Sequence, residues 1–399
     1  MHSKAILANR FQYIGHSDVA AILQLAERPE VISFAGGLPD PHTFLLDEAR
    51  ELTAEVLAAT GQAALGYGPT AGIKTLRTWL AEHMTRQGRP TSIEETVVTT
   101  GGIAALDLIC KSVLDAGDTV VVGEPAYVAA LHVFRSYQAR FAGVPLDESG
   151  MQTDALRDKL RNLQRQSIYP KLLYLVPSFQ NPAGLTLSIE RRKALLDIAR
   201  EFGLLVIEDA AYRDLRFEGE APPLMAALDP ENVLHINTFS KVFNPGVRIG
   251  WACGPRHLID ALILAKQGQD QCSSTIGQYL TTAFAQSGLI EKQIARAVGI
   301  YKHKRDVMLS ALAEAFPAAT RWTRPEGGFY TWVTLPDGVD TEKLLPASIE
   351  QAKVAYVPGP AFYHDRSGQN HLRLCYSYVP EAVIEQGVQR LGQLITDAL

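Results

Sequence analysis

From residue 118 onward the chain alternates between two hydrophobic rhythms. Short apolar runs, DTVVVGE, ARFAGVPLD, LLYLV, LLVIED, NVLHIN and RIGWACG, have strand composition, while DALRDKLRNLQRQ and IERRKALLDIAREFG space their apolar positions three and four apart, as helices do. Buried strands separated by helices of about a dozen residues predict a mostly parallel sheet covered on both faces. Upstream, SDVAAILQLAE over 17–27 predicts a helix capped by Ser17 or Asp18. RPEVISFAGGLPDPHTF predicts a short strand entering a Gly/Pro-rich turn, DEARELTAEVLAAT a helix, and ETVVTTGGIAALDLICKSVL a strand, a glycine pair and a helix. After about residue 285 the texture changes. The charged helical stretch LIEKQIARAVGIYKHKRDVMLSALAEAF precedes short strands in RWTRPEGGFYTWVTLP, VAYVPGPAFY and HLRLCYSYV. The pattern predicts a large α/β domain over 46–285 and a smaller α+β domain assembled from 1–45 and 286–399.

Composition narrows the classes of partner. A chain of 399 residues and 43.6 kDa exceeds the usual single core, which supports two closely packed domains. A net charge of −5 and a pI near 6.1 argue against nucleic acid or an anionic membrane as the main partner. Cys110, Cys253, Cys272 and Cys375 are far apart and form no CxxC pair, so they read as reduced thiols with no metal site. The first residues have too short an apolar run for a signal peptide, and no stretch of 18 apolar residues occurs. The expectation is a soluble, cytoplasmic protein.

Candidate chemistry gathers at predicted strand ends. In NTFSKVFNPG, Lys241 stands where a strand gives way to a loop, with Thr238 and Ser240 before it and Arg248 seven residues beyond. A lysine beside hydroxyls and an arginine suits a phosphorylated carbonyl cofactor with which the amine forms a Schiff base. Gly66, Gly68 and Ala71 imitate a dinucleotide fingerprint, but no strand precedes them and no acid follows at the right distance, so a dehydrogenase reading fails. Gly101 and Gly102 do lie between a strand and a helix, and read either as a phosphate cradle or as a plain βα turn. The strand LLVIED ends in Glu208 and Asp209, which face opposite sides. Asp209 is the candidate partner for a protonated pyridine nitrogen; Tyr212 and Asn181 are candidate donors to the ring's phenolic oxygen. Tyr127 either stacks on the ring or belongs to the core. Arg373, inside an apolar strand, is either a structural ion pair or the clamp for an α-carboxylate.

Taken in order, AGGLP, YGPTAG, TGG, PAY, SFQNPAG, EDAAY, TFSK…PGVRIGW, GGFY and LRLCYS resemble the fold-type-I pyridoxal phosphate aminotransferases, nearest to the class I/II branch with aminoadipate and kynurenine aminotransferases. The resemblance spans nearly the whole chain. It implies a sheet of the seven-stranded type and a Schiff base on Lys241. It implies Asp209 on the pyridine nitrogen, Asn181 and Tyr212 on the phenolic oxygen, and Tyr127 on the ring face. Phosphate contacts fall to the amides of Gly102 and Ile103, to Thr238, Ser240 and Arg248, and to Tyr67 from a second subunit of a homodimer with shared sites. Arg373 takes the substrate carboxylate, with Gly37 and Asn181 beside it. The chain departs from relatives in GGIAAL, which lacks their Ser and Gln, in Ala183 where threonine is common, and in SDVAAILQLAE, which has no arginine for an acidic side chain. Those departures favour neutral aliphatic or aromatic L-amino acids in a ping-pong exchange with a 2-oxo acid. A lyase, decarboxylase or cyclase on the same scaffold is the first rival. An aminotransferase-like regulator is the second, disfavoured because only about 30 residues precede VISFAGGLP and no basic recognition helix is evident.

Overall fold

The computed structural model describes residues 6–14, 22, 24 and 28–399; the helix expected over 17–27 therefore lies outside the described residues except at Ile22 and Gln24. The first strand, β1 (Ile32–Ser33), pairs in parallel with β12 (Val354–Ala355), so the two ends of the chain meet in one unit. Beside it, β10 (Arg321–Trp322), β11 (Tyr330–Thr334), β14 (His371–Cys375) and β13 (Val357–Pro358) form an antiparallel sheet in that order.

The large sheet contains β2 (Thr96–Thr99), β3 (Thr119–Glu124), β4 (Arg140–Asp147), β5 (Gly150–Met151), β6 (Leu172–Leu175), β7 (Leu205–Asp209), β8 (Val233–Thr238) and β9 (Gly250–Cys253). Their order across the sheet is β2-β9-β8-β7-β6-β3-β4-β5. Seven strands match the expected type; the eighth, β5, is a two-residue return that pairs antiparallel with the end of β4. The helices of this part are α1 (Leu46–Leu65), α2 (Lys74–Arg86), α3 (Gly102–Val113), α4 (Val128–Ser136), α5 (Thr153–Arg165), α6 (Ile189–Phe202), α7 (Met225–Leu228), α8 (Arg256–Gln267) and α9 (Thr275–Gln286). The long α10 (Leu289–Ala315), then α11 (Thr341–Ala347) and α12 (Glu381–Asp397), complete the chain.

Local chemistry explains the boundaries. Ser188 caps α6 by accepting from the Arg191 amide, and Gly203, at φ 68°, ends it in the left-handed conformation. In α5 only Leu156 and Leu160 are buried, and its charged residues face outward. The helix expected over DEARELTAEVLAAT continues to Leu65 past one non-helical residue, Thr60, and packs against α9. Gly66 and Gly68 directly follow helix α1, not a strand, in keeping with the rejection of the dinucleotide fingerprint.

Strand direction decides where chemistry collects. β3, β6, β7 and β8 are parallel, and β2 shares their direction because both it and β8 pair antiparallel with β9. The segments after the C-terminal ends of these five strands, carrying Gly102, Tyr127, Asn181, Asp209 and Lys241, thus meet at one edge. Since β9 runs the other way, its N-terminal end, with Arg248 just before it, arrives at the same edge.

Candidate active site

Two adjoining cavities of about 490 and 180 Å³ open at this edge and share Ile103, Tyr127, Asn181, Tyr212 and Lys241 in their walls. The inner one adds Gly102, Asp209, Thr238, Ser240 and Arg248; the outer one adds Gly37, Tyr330, Arg373 and one face of α4. Every cofactor or substrate residue that the resemblance implies lines one or both cavities except Tyr67, which is 94% exposed.

Lys241 sits at the junction. Its Nζ donates to the Gly37 carbonyl at 2.8 Å and lies 5.4 and 5.8 Å from the ring centres of Phe329 and Tyr212. Burial lowers its pKa to about 8, with the cations Arg373 and Arg248 acting in the same direction. The amine is thus closer to its neutral, nucleophilic form than a surface lysine is.

Asp209 closes β7. Its carboxylate accepts from the Tyr174 hydroxyl at 2.7 Å and from the Ala211 amide at 3.2 Å. Burial pushes its pKa up, against those two hydrogen bonds. Its neighbour Glu208 faces the opposite side, fully buried, and accepts from the amides of Met225 and Ala226 and from His235.

The other end of the inner cavity is built from close approaches. Gly101 has φ 90°, and a Cβ there would stand 2.4 Å from Nη2 of Arg248, so only glycine lets this guanidinium rest against the turn into α3. Arg248 donates to the Ser240 hydroxyl and to the carbonyls of Pro245 and Thr100 at 3.3 to 3.4 Å. Thr238 Oγ1 accepts from the Ser240 amide at 3.1 Å and donates to its hydroxyl at 2.9 Å.

Arg373, on β14, is 3% exposed. It donates to Asn181 Oδ1 at 2.9 Å and to the Ala35 carbonyl, and its Nε has no partner. Among the described residues neither Arg248 nor Arg373 has a carboxylate within ion-pair distance, and Asp209 has no cation there.

These imbalances are a test of fit. A ligand with a protonated ring nitrogen at one end and a phosphate at the other would complement Asp209 and Arg248 at once, with Lys241 in reach of a carbonyl between them. Sequence reasoning overlooked Tyr174 and Tyr330, as well as His132 and Ser136 on the cavity face of α4. The one available signal for Tyr174 was a hydroxyl inside an otherwise aliphatic strand.

Residues 29–391 match the family model described as Aminotransferase class I and II. The chain is 41% identical over 385 residues to the aromatic-amino-acid aminotransferase 1 of Thermococcus litoralis, covering 96% of this chain and 92% of that protein. It is 38% identical over 387 residues to the 2-aminoadipate transaminase of Thermus thermophilus, covering 96% and 94%. The crystal structure of a Pyrococcus horikoshii kynurenine aminotransferase in complex with PMP superposes with a TM-score of 0.96 at 40% identity, over 99% of this chain and 98% of that one.

Proposed function

The chain belongs to the class I and II aminotransferases and is a pyridoxal-phosphate-dependent aminotransferase of fold type I, and on that premise we propose how its residues divide the work and which donors it takes. Its substrates are an amino acid and a 2-oxo acid, exchanged in two half-reactions at one site. The proposed donors are L-amino acids with neutral aliphatic or aromatic side chains.

Pyridoxal phosphate, when bound, supplies an electron sink that acidifies the substrate's α-carbon. Asp209 keeps the ring nitrogen protonated by presenting a buried carboxylate to it, and Tyr174 holds that carboxylate in place. Asn181 and Tyr212 serve the phenolic oxygen, and Tyr127 packs on the ring. Gly102 and Ile103 through their amides, with Thr238, Ser240 and Arg248, hold the phosphate. Arg373 orients the substrate by its α-carboxylate, beside Gly37 and Asn181. Lys241 Nζ then takes the α-proton as a neutral amine, which its pKa of about 8 favours.

One observation carries this reading. Two cations without carboxylate partners, Arg248 and Arg373, flank a lysine of lowered pKa, so two separate anions are called for on either side of one amine. The choice of donor rests on the outer cavity. Among the described residues its only lysine or arginine side chains are Lys241 and Arg373, and Ile103, Val128, Ala129 and Val133 form an apolar wall.

The proposal extends to a cytoplasmic homodimer in which the partner subunit's Tyr67 completes the phosphate site, and to a division into 1–45 with 286–399 and 46–285. No helix among the described residues is long and apolar enough to cross a membrane. The test is the absorbance of the purified holoenzyme before and after adding neutral, aromatic and acidic L-amino acids. Neutral and aromatic donors should convert the cofactor band; conversion by acidic ones alone would refute the donor assignment. Release of ammonia or CO2 without dependence on an oxo acid would instead indicate elimination or decarboxylation.

A further inference from the structure

Tyr330 opens β11 behind the glycine pair Gly327–Gly328 and is 2% exposed. Its hydroxyl lies 3.0 Å from the Tyr212 hydroxyl, its single hydrogen-bond partner among the described residues. The two rings cross at 79° with centres 5.6 Å apart. On its other side, the ring of Tyr330 lies 4.3 Å below Cζ of Arg373. A Cβ built on Gly37 would fall 1.9 Å from the Tyr330 oxygen, so this hydroxyl occupies the space of an absent side chain. The carbonyl of that same Gly37 accepts from Lys241. Tyr330 thus touches Tyr212, Arg373 and Gly37, yet a phenylalanine would keep the ring against Tyr212 and Arg373. The hydroxyl needs its own explanation.

Proton counting supplies one. Burial pushes the Tyr330 phenol up to about 12 and the Tyr212 phenol well above its ordinary value, so both keep their protons at neutral pH. The pair therefore holds two protons, of which one lies between the oxygens. Each phenol has one proton to donate. If Tyr212 donates to Tyr330, Tyr212 has no proton left for a ligand oxygen; if Tyr330 donates, the Tyr212 proton is free. Accepting a hydrogen bond also polarises the Tyr212 O–H and strengthens what it donates.

We propose that Tyr330 is a positioning residue for the transamination: its hydroxyl donates to Tyr212, releasing the Tyr212 proton for the cofactor's phenolic oxygen, while its ring braces Arg373. This rests on the function proposed above. A hydrogen bond to the phenolic oxygen favours the form of the bound cofactor that carries negative charge there. Weakening that bond should raise the pH at which the cofactor's absorbance titrates.

The experiment is a spectroscopic pH titration of four holoenzymes: the native protein, Tyr330→Phe, Tyr212→Phe and the double variant. Tyr330→Phe keeps the ring over Arg373 and should bind cofactor with unchanged stoichiometry, its midpoint moving up by roughly half a pH unit. Tyr212→Phe should move it further in the same direction, and adding Tyr330→Phe to it should do nothing more, since the second hydroxyl acts through the first. A native midpoint in Tyr330→Phe, or shifts that add in full, would overturn the proposal. Gly37→Ala gives a second route, because its methyl crowds the Tyr330 hydroxyl off Tyr212 while leaving both phenols in the chain; an unmoved midpoint there counts equally against it. Failure of the native protein to take up pyridoxal phosphate would refute the function itself, a different result from a silent Tyr330.

Discussion

Lys241 owes its reactivity to burial more than to any charged neighbour, since desolvation is the largest cause of its lowered pKa. In the proposed role the neutral amine attacks the cofactor's carbonyl, so the sign is fixed: uptake of pyridoxal phosphate by the cofactor-free protein should accelerate as pH rises through about 8. Between pH 7 and pH 9 the neutral fraction grows about tenfold. Stopped-flow absorbance checks this, with Lys241→Ala as the control that shows no specific attachment and no turnover. An inflection at the ordinary lysine value would mean that the amine is solvated in the free protein. Lys241, Asp209 and Asn181 were legible in the sequence because each lies at or shortly after the end of a recognisable strand run. Tyr174 was not, for its partner Asp209 lies 35 residues away on the neighbouring strand.

Elements place these residues by direction and by a few buried anchors. The segment after β1 that carries Gly37 continues to Asp40, whose carboxylate meets Lys304 of α10 at 2.5 Å with both side chains about 5% exposed or less. Lys304 also donates to the Ser377 carbonyl, and the Tyr301 hydroxyl accepts from the Asp40 amide. Removing one member of a buried pair strands the other charge. Lys304→Met should therefore cost about 3–5 kcal/mol in denaturant unfolding of the cofactor-free protein. A loss below about 1 kcal/mol would show that water reaches Asp40. From the sequence, α10 was a long charged helix and nothing more. Charge spacing along a helix reads as solvent exposure, and the carboxylate that makes Lys304 an interior residue stands 264 positions earlier.

For the molecule as a whole, Tyr67 is exposed and lines neither cavity of its own chain. With shared sites, Lys241→Ala and Tyr67→Ala lesions fall in the same site of a mixed dimer and spare the other. Co-refolding equal amounts of the two inactive variants should then return about a quarter of native activity, half of the dimers being mixed and each having one sound site. Activity no higher than the mean of the parents would show that each chain completes its own site. By itself the sequence determined the alternation of strands and helices, the family, and the candidate cofactor residues near strand ends, because periodicity and short motifs are local properties of the chain. Only the tertiary structure decided that Arg248 enters the site through the reversal of β9, that the Gly37 niche receives the Tyr330 hydroxyl, and that Lys304 neutralises a buried aspartate. Those facts depend on strand pairing and on contacts between residues hundreds of positions apart, which no local pattern encodes.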